Sequence, residues 1–119
     1  MADARSPARA RTGPSAGNPL ERCPVARTLA LIGDRWTILV LRDLLRDGPR
    51  RFLDFERSLV GISPNTLSNR LKALEDGGIV MRRFYEEHPP RAEYVLTDKG
   101  VELGPVLRAL REWGQKHTG

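Results

Sequence analysis

The sequence predicts an α+β fold that is mostly helical and ends its central block in a β-hairpin, and three observations carry that prediction. A short apolar-faced helix, a glycine turn and a capped second helix occupy Phe52 to Gly78. β-prone residues from Ile79 to Leu96 fold back at a Pro-Pro tip, and amphipathic helical patterns flank the block on both sides. Helix, turn, helix and hairpin in this order make a winged helix-turn-helix, whose second helix is shaped to lie in a DNA major groove.

Residues 1–21, rich in Ala, Arg, Pro, Gly and Ser with no apolar periodicity, predict a disordered basic tail; residues 22–117 hold the folded domain. Arg5, Arg9 and Arg11 leave two readings for the tail, an expendable extension or nonspecific contact with DNA. Pro7, Gly13 and Pro14 spoil the amphipathic helix that an organelle presequence needs. Pro24 to Ile32 and Asp34 to Arg46 read as consecutive helices broken at Gly33. The second, with Trp36, Ile38, Leu39, Val40, Leu41, Leu44 and Leu45, is apolar on most of its circumference and is expected to be the central buried helix.

Gly48-Pro49 stops that helix, and Arg50 and Arg51 follow it. They fit either a short edge strand beside the hairpin that reaches a phosphate or plain solvating charge. Phe52, Phe55 and Leu59 supply the apolar face of the first helix of the pair. For the second, Ser63 is a good N-cap, Pro64 suits the first helical position, and Gly77-Gly78 supplies a left-handed stop. Ile62 and Leu67 are placed to form a hydrophobic staple after the turn at Gly61.

At about 100° per residue, Leu67, Leu71 and Leu74 share one face of this helix. Asn65, Ser68, Asn69 and Lys72 share the other, with Thr66 at its edge. Amides, hydroxyls and a long cation suit base edges and phosphates, whereas an ordinary solvated face interleaves Glu and Lys. Glu75 and Asp76 sit in the last turn, at the unfavourable negative end of the helix dipole, so the N-terminal half is the part expected to meet DNA.

Ile79 to Tyr85, with Arg82 and Arg83, form the outgoing strand, Glu86 to Arg91 the turn, and Ala92 to Leu96 the return strand. The tip prolines resist edge pairing and leave Arg91 to project into a groove or onto a phosphate. The expected DNA-facing set is Arg51, Ser63, Asn65, Thr66, Ser68, Asn69, Arg70, Lys72 and Arg91, with Asn65, Ser68 and Asn69 reading bases and Arg51, Arg70, Lys72 and Arg91 holding phosphates or the minor groove. A final helix capped by Thr97 carries Val106, Leu107, Leu110 and Trp113, with a kink expected at Gly104-Pro105.

A net charge of +5, with all but three of the 20 basic residues arginine, favours an acidic polymer as partner. Cys23, His88 and His117 are scattered, and no paired carboxylates, Gly-rich phosphate loop or metal-spaced cluster occurs. The residues therefore argue against an enzyme and call for no metal or cofactor. No apolar run is long enough to span a membrane and no secretory core precedes the domain, so a cytoplasmic location is expected. Cys23, the single cysteine, precedes Pro24 at a helix start beside Arg22, a setting that favours a thiolate. Burial there would instead leave it inert.

Taken in order and spacing, these residues resemble the HxlR-type transcriptional regulators, winged-helix proteins related to the MarR group. The resemblance rests on Cys23-Pro24-Val25, Gly33-Asp34-Arg35-Trp36-Thr37, Arg51-Phe52, Gly61-Ile62-Ser63, Leu67 with Arg70-Leu71 and Leu74-Glu75, Gly78-Ile79-Val80, Pro90-Arg91 and Tyr94-Val95-Leu96-Thr97, and it covers about Arg22 to Lys116. It implies a homodimeric regulator, more often a repressor, on a pseudo-palindromic operator of double-stranded DNA. It also implies that the first and last helices are dimerisation helices that pair across a two-fold axis, with Val25, Leu29, Leu107, Leu110 and Trp113 as interface candidates; packing within the chain is the other reading, expected for about half of them. For Cys23 it implies either an oxidant- or electrophile-sensing thiol or a structural residue. The alternatives are a winged helix used for protein interaction and a regulator gated by a small molecule without redox chemistry.

Overall fold

The computed structural model describes residues 18–87 and 90–119. The chain divides after Ala30 into two compact units. In the first, Pro19–Arg22 makes one 3-10 turn, capped by the Asn18 side chain, which accepts the Leu20 N–H at 2.9 Å. This turn lies inside the segment expected to be tail; the rest of that segment, residues 1–17, lies outside the described residues. The helix α1 follows, Pro24–Ile32, with Val25 and Leu29 exposed.

The second unit is built on α2, Arg35–Asp47, whose first turn is capped by Asp34 rather than containing it. Val40, Leu41 and Leu44 are buried as the pattern predicts, and α3 (Phe52–Ser58) and α4 (Pro64–Asp76) add Phe55, Leu67, Leu71 and Leu74 to the same core. Between them Leu59 is buried and Gly61 takes φ 97°, a left-handed turn that glycine adopts without strain. The helix α4 ends as expected, although Gly78 alone is left-handed, at φ 74°, while Gly77 stays near the helical region.

The wing is an antiparallel pair, β1 (Val80–Glu87) and β2 (Pro90–Leu96). Both strands run further than the sequence indicates, because Glu86 and Glu87 keep pairing, with Arg91 and Pro90, beyond a bulge at Tyr85. His88 and Pro89, the middle of the expected turn, lie outside the described residues. Val80 and Leu96 pair at the base, where Val80 is buried and Leu96 packs on the core. Arg50 pairs with Tyr94 in an isolated bridge, which realises the expected edge strand as a single residue pair.

The final helix is not one kinked rod. A short α5, Asp98–Val101, stops at Glu102, and α6, Gly104–His117, restarts with Pro105 in its first turn. Proline has no N–H and its ring clashes with the preceding turn, so a break replaces the kink. Thr97 caps α5 as predicted, its hydroxyl accepting the Gly100 N–H at 3.1 Å.

Candidate nucleic-acid interface

The candidate surface is built outward from the buried leucines of α4. With Leu67, Leu71 and Leu74 in the core, the opposite face turns Asn65, Ser68, Asn69 and Lys72 to solvent. Among the described residues, no hydrogen bond or ion pair engages the side chains of Asn65, Ser68 or Asn69, and Lys72 makes only a loose 3.6 Å pair with Asp76. These groups keep their full hydrogen-bonding capacity for a partner. Ser63 and Thr66 are partly committed: the Ser63 hydroxyl accepts the Thr66 N–H at 3.1 Å and donates to the Thr66 hydroxyl at 2.9 Å. That capping sets the start of α4, where backbone N–H groups and the positive end of the dipole favour an anion.

The far end of α4 is held from outside. Lys99 donates to the Gly77 carbonyl at 2.8 Å and the Thr97 hydroxyl to the Gly78 carbonyl at 2.6 Å, so residues at the α5 start cap α4. Glu75 is paired with Arg82 of β1 at 3.1 Å, which commits both side chains and ties the helix to the wing. Lys99 was not singled out from sequence, because its partner lies 22 residues away and no local pattern points to it.

Each expected phosphate cation has an acidic neighbour. Arg91 pairs with Glu86 across the wing at 3.1 Å and Arg51 with Asp54 at 3.6 Å. Arg70 donates to Asp34 at 2.8 Å. Exposed pairs of this kind are worth only about 0–1 kcal/mol, so a phosphate can displace the carboxylate from Arg91 or Arg51 at little cost. The Tyr85 hydroxyl and then the Asp54 carboxylate push the Arg51 guanidinium up from its ordinary value. Tyr85 is a residue that sequence reasoning missed: the bulge that sets its direction is visible only in the pairing register.

Asp34 and Asp43 were missed as well. Desolvation raises the Asp34 carboxyl, but the Arg70 hydrogen bond and the Thr37 and Trp36 N–H groups outweigh it and leave the group below the usual carboxylate range. Asp43 is fully buried on α2, with Arg42 at 2.9 Å, Arg46 at 3.2 Å and Arg50 at 3.9 Å. These contacts draw Arg50 inward, 22 % accessible, where it braces the bridge to Tyr94 rather than facing a phosphate.

At the other positions of interest, the Cys23 thiol is half-buried and accepts the Ala26 N–H at 3.4 Å in the first turn of α1. Leu110 and Trp113 of α6 are exposed, while Leu107 packs partly against the core. Among the described residues, no helix is long and apolar enough to cross a membrane.

A capped helix with a free amide-rich face, set in a helix-turn-helix and flanked by a two-stranded wing, defines a winged helix-turn-helix DNA-binding protein. The profile of the HxlR-like helix-turn-helix family matches residues 31–119, and the chain belongs to that family. It is 42% identical over 98 residues to an HTH-type transcriptional regulator of Halalkalibacterium halodurans, covering 82% of this chain and 87% of the relative. Among solved structures it is similar to the redox regulator HypR in its oxidized form, with TM-score 0.75 and 37% identity over 82% of this chain and 99% of that one. It is also similar to the reduced form of the transcriptional regulator YodB from Bacillus subtilis, with TM-score 0.65 and 34% identity over 80% of this chain and 93% of that one. The family is one of helix-turn-helix transcriptional regulators.

Proposed function

We propose that residues 22–117 act as a homodimeric, sequence-specific regulator that sets two copies of α4 in successive major grooves of a pseudo-palindromic duplex. The observation that carries this reading is the exposed N-terminal half of α4, where Asn65, Ser68 and Asn69 have no partner within the chain among the described residues. Asn65, Ser68 and Asn69 read base edges, and Arg51, Lys72 and Arg91 hold phosphates or the minor groove. Ser63 and Thr66 set the helix start against the backbone. Exposed Val25 and Leu29 on α1, and Leu110 and Trp113 on α6, supply apolar surface of the kind a two-fold interface covers. A dimer spanning about two helical turns of DNA obstructs polymerase at an overlapping promoter, so repression is the expected outcome.

The test is a duplex pool randomised over the expected site and selected with the purified protein. Asn69→Ala is expected to relax preference at one or two positions by about 1–3 kcal/mol each. Arg91→Ala is expected to weaken all sequences alike and to reduce the slope of log affinity against log salt by about one. An Asn69→Ala protein with an unchanged selected consensus removes Asn69 from base reading.

A thiol response is a second reading, supported by the position of Cys23 immediately before α1, where its sulfur accepts the Ala26 N–H, and by likeness to a protein described as a redox regulator. Two Cys23 thiols, one from each protomer, would lose two protons and two electrons to an oxidant such as diamide and form an intersubunit disulfide. Wild type is expected to run as a covalent dimer in nonreducing electrophoresis after diamide and to change its operator affinity, whereas Cys23→Ser does neither. A Cys23→Ser protein that still releases DNA on diamide treatment removes Cys23 from the response.

A further inference from the structure

Apolar packing fixes how deep α4 sits but only loosely how it is rolled about its own axis, because hydrophobic contact is non-directional. Roll matters for reading DNA. With side chains at a radius of about 5–6 Å, a 20° rotation moves a tip by about 2 Å. That exceeds the tolerance of a hydrogen bond, whose N···O distances lie within about half an ångström of one another.

Two directional side-chain contacts from α4 oppose this rotation: the exposed Glu75–Arg82 pair in its last turn, and the Arg70–Asp34 bond beside the amide face. Between Ser63 and Lys72, the Arg70 to Asp34 bond at 2.8 Å is the only polar side-chain link from α4 to another element among the described residues. Arg70 lies three residues after Leu67, roughly 60° round the helix from the buried stripe at about 100° per residue, on the flank where a sideways tether opposes roll. The tether ends on a fixed point. The same Asp34 oxygen, Oδ2, accepts the Trp36 N–H at 2.9 Å and the Thr37 N–H at 3.1 Å, capping the buried helix α2.

We propose that Asp34 and Arg70 form a positioning strut which sets the roll of α4, and so aims Asn65, Ser68 and Asn69 at the bases. Arg70 is then a positioning residue, and not the phosphate contact that its place in the sequence implies. The inference rests on the reading of α4 as the base-reading helix.

The test uses the full chain, a duplex selected by wild type from a random pool, and a scrambled duplex of equal composition, each titrated over a salt series. Asp34→Asn keeps an N-cap oxygen but removes the charge that orients Arg70; Arg70→Gln removes the strut, and Arg70→Lys keeps charge without the guanidinium fork. All three are expected to lower the ratio of selected to scrambled affinity by roughly 5- to 100-fold, with unchanged salt slope. The double variant Asp34→Asn/Arg70→Gln is expected to lose no more than either single change, because both cut one contact.

Three results overturn the strut: Arg70→Gln reducing the salt slope by about one while the ratio holds, Arg70→Lys restoring wild-type behaviour, or Asp34→Asn leaving the ratio intact. If Arg70→Gln does not fold, Asp34→Asn and Arg70→Lys decide the matter. A wild type that selects no duplex overturns the reading of α4 itself, an outcome distinct from all three.

Discussion

Gly100→Ala is expected to cost about 3 kcal/mol of stability, the upper end of the usual overpacking range. A Cβ at Gly100 would stand 2.3 Å from the Ile79 carbonyl oxygen and 3.0 Å from Leu96 Cδ2. The obstructing atom is backbone, and it is already engaged, accepting the Thr97 N–H at 3.0 Å. Neither side can yield cheaply. If α5 moves out, the Thr97 cap and the Lys99 bond to the Gly77 carbonyl are strained together, and the C-terminal end of α4 loses its outside support. Thermal unfolding followed by circular dichroism is expected to show a Tm lower by roughly 12–24 °C, at about 4–8 °C per kcal/mol for a domain of this size. Gly114→Ala is the control, because an added Cβ there meets nothing closer than the Thr118 hydroxyl at 3.8 Å. Inside α6 that change is expected to be neutral or to stabilise by about 0.5–1 kcal/mol. Equal Tm values for Gly100→Ala and Gly114→Ala would show that the close approach to Ile79 does not constrain the fold.

The contrast between these glycines marks how far the sequence could be read. Local rules identified α4 almost completely: a serine cap, a proline in the first turn, a leucine stripe and a glycine stop each act within a few residues, so the pattern determines the element. The central position of α2 was legible for the same reason, since a helix apolar on most sides has nowhere to go but the interior. What the sequence concealed acts over distance. Asp34 was placed inside α2 and proves to be its cap, with a bond to a residue 36 positions on. Lys99 and Gly100 gain their roles only when α5 meets the end of α4 and the start of β1. Glu86 and Glu87 carry weak strand propensity and were assigned to the turn, yet their pairing with Arg91 and Pro90 continues the ladder. In the candidate site the free amide face was visible from periodicity alone. Which cations already hold an acid was not, because ion pairs between elements leave no periodic trace.

Phe55→Ala is expected to be the other severe change, at about 3–5 kcal/mol. The ring is fully buried on α3 and meets Tyr94 edge-on, with centroids 6.1 Å apart and planes at 61°. Tyr94 in turn exchanges two backbone hydrogen bonds with Arg50, of 3.0 and 2.7 Å, so the aromatic pair and the bridge together fasten the wing to the helix pair. Deleting the ring opens a cavity where three elements join, and small domains have only about 5–15 kcal/mol of stability to lose. Phe55→Leu, which refills most of the volume, is expected to cost far less. If the ring pair itself matters beyond its bulk, a double-mutant cycle of Phe55→Leu with Tyr94→Leu should return a coupling of about 0.5–1.5 kcal/mol in urea unfolding. A coupling near zero would leave Phe55 as filling alone and assign the fastening of the wing to the Arg50–Tyr94 bridge. Under the proposed mode of binding, either result bears on DNA reading, because α4 and the wing would grip one duplex only while their relative placement survives. The loss of affinity in Phe55→Ala should therefore exceed its unfolded fraction if the wing loosens before the domain melts, and should equal that fraction if the two events are one.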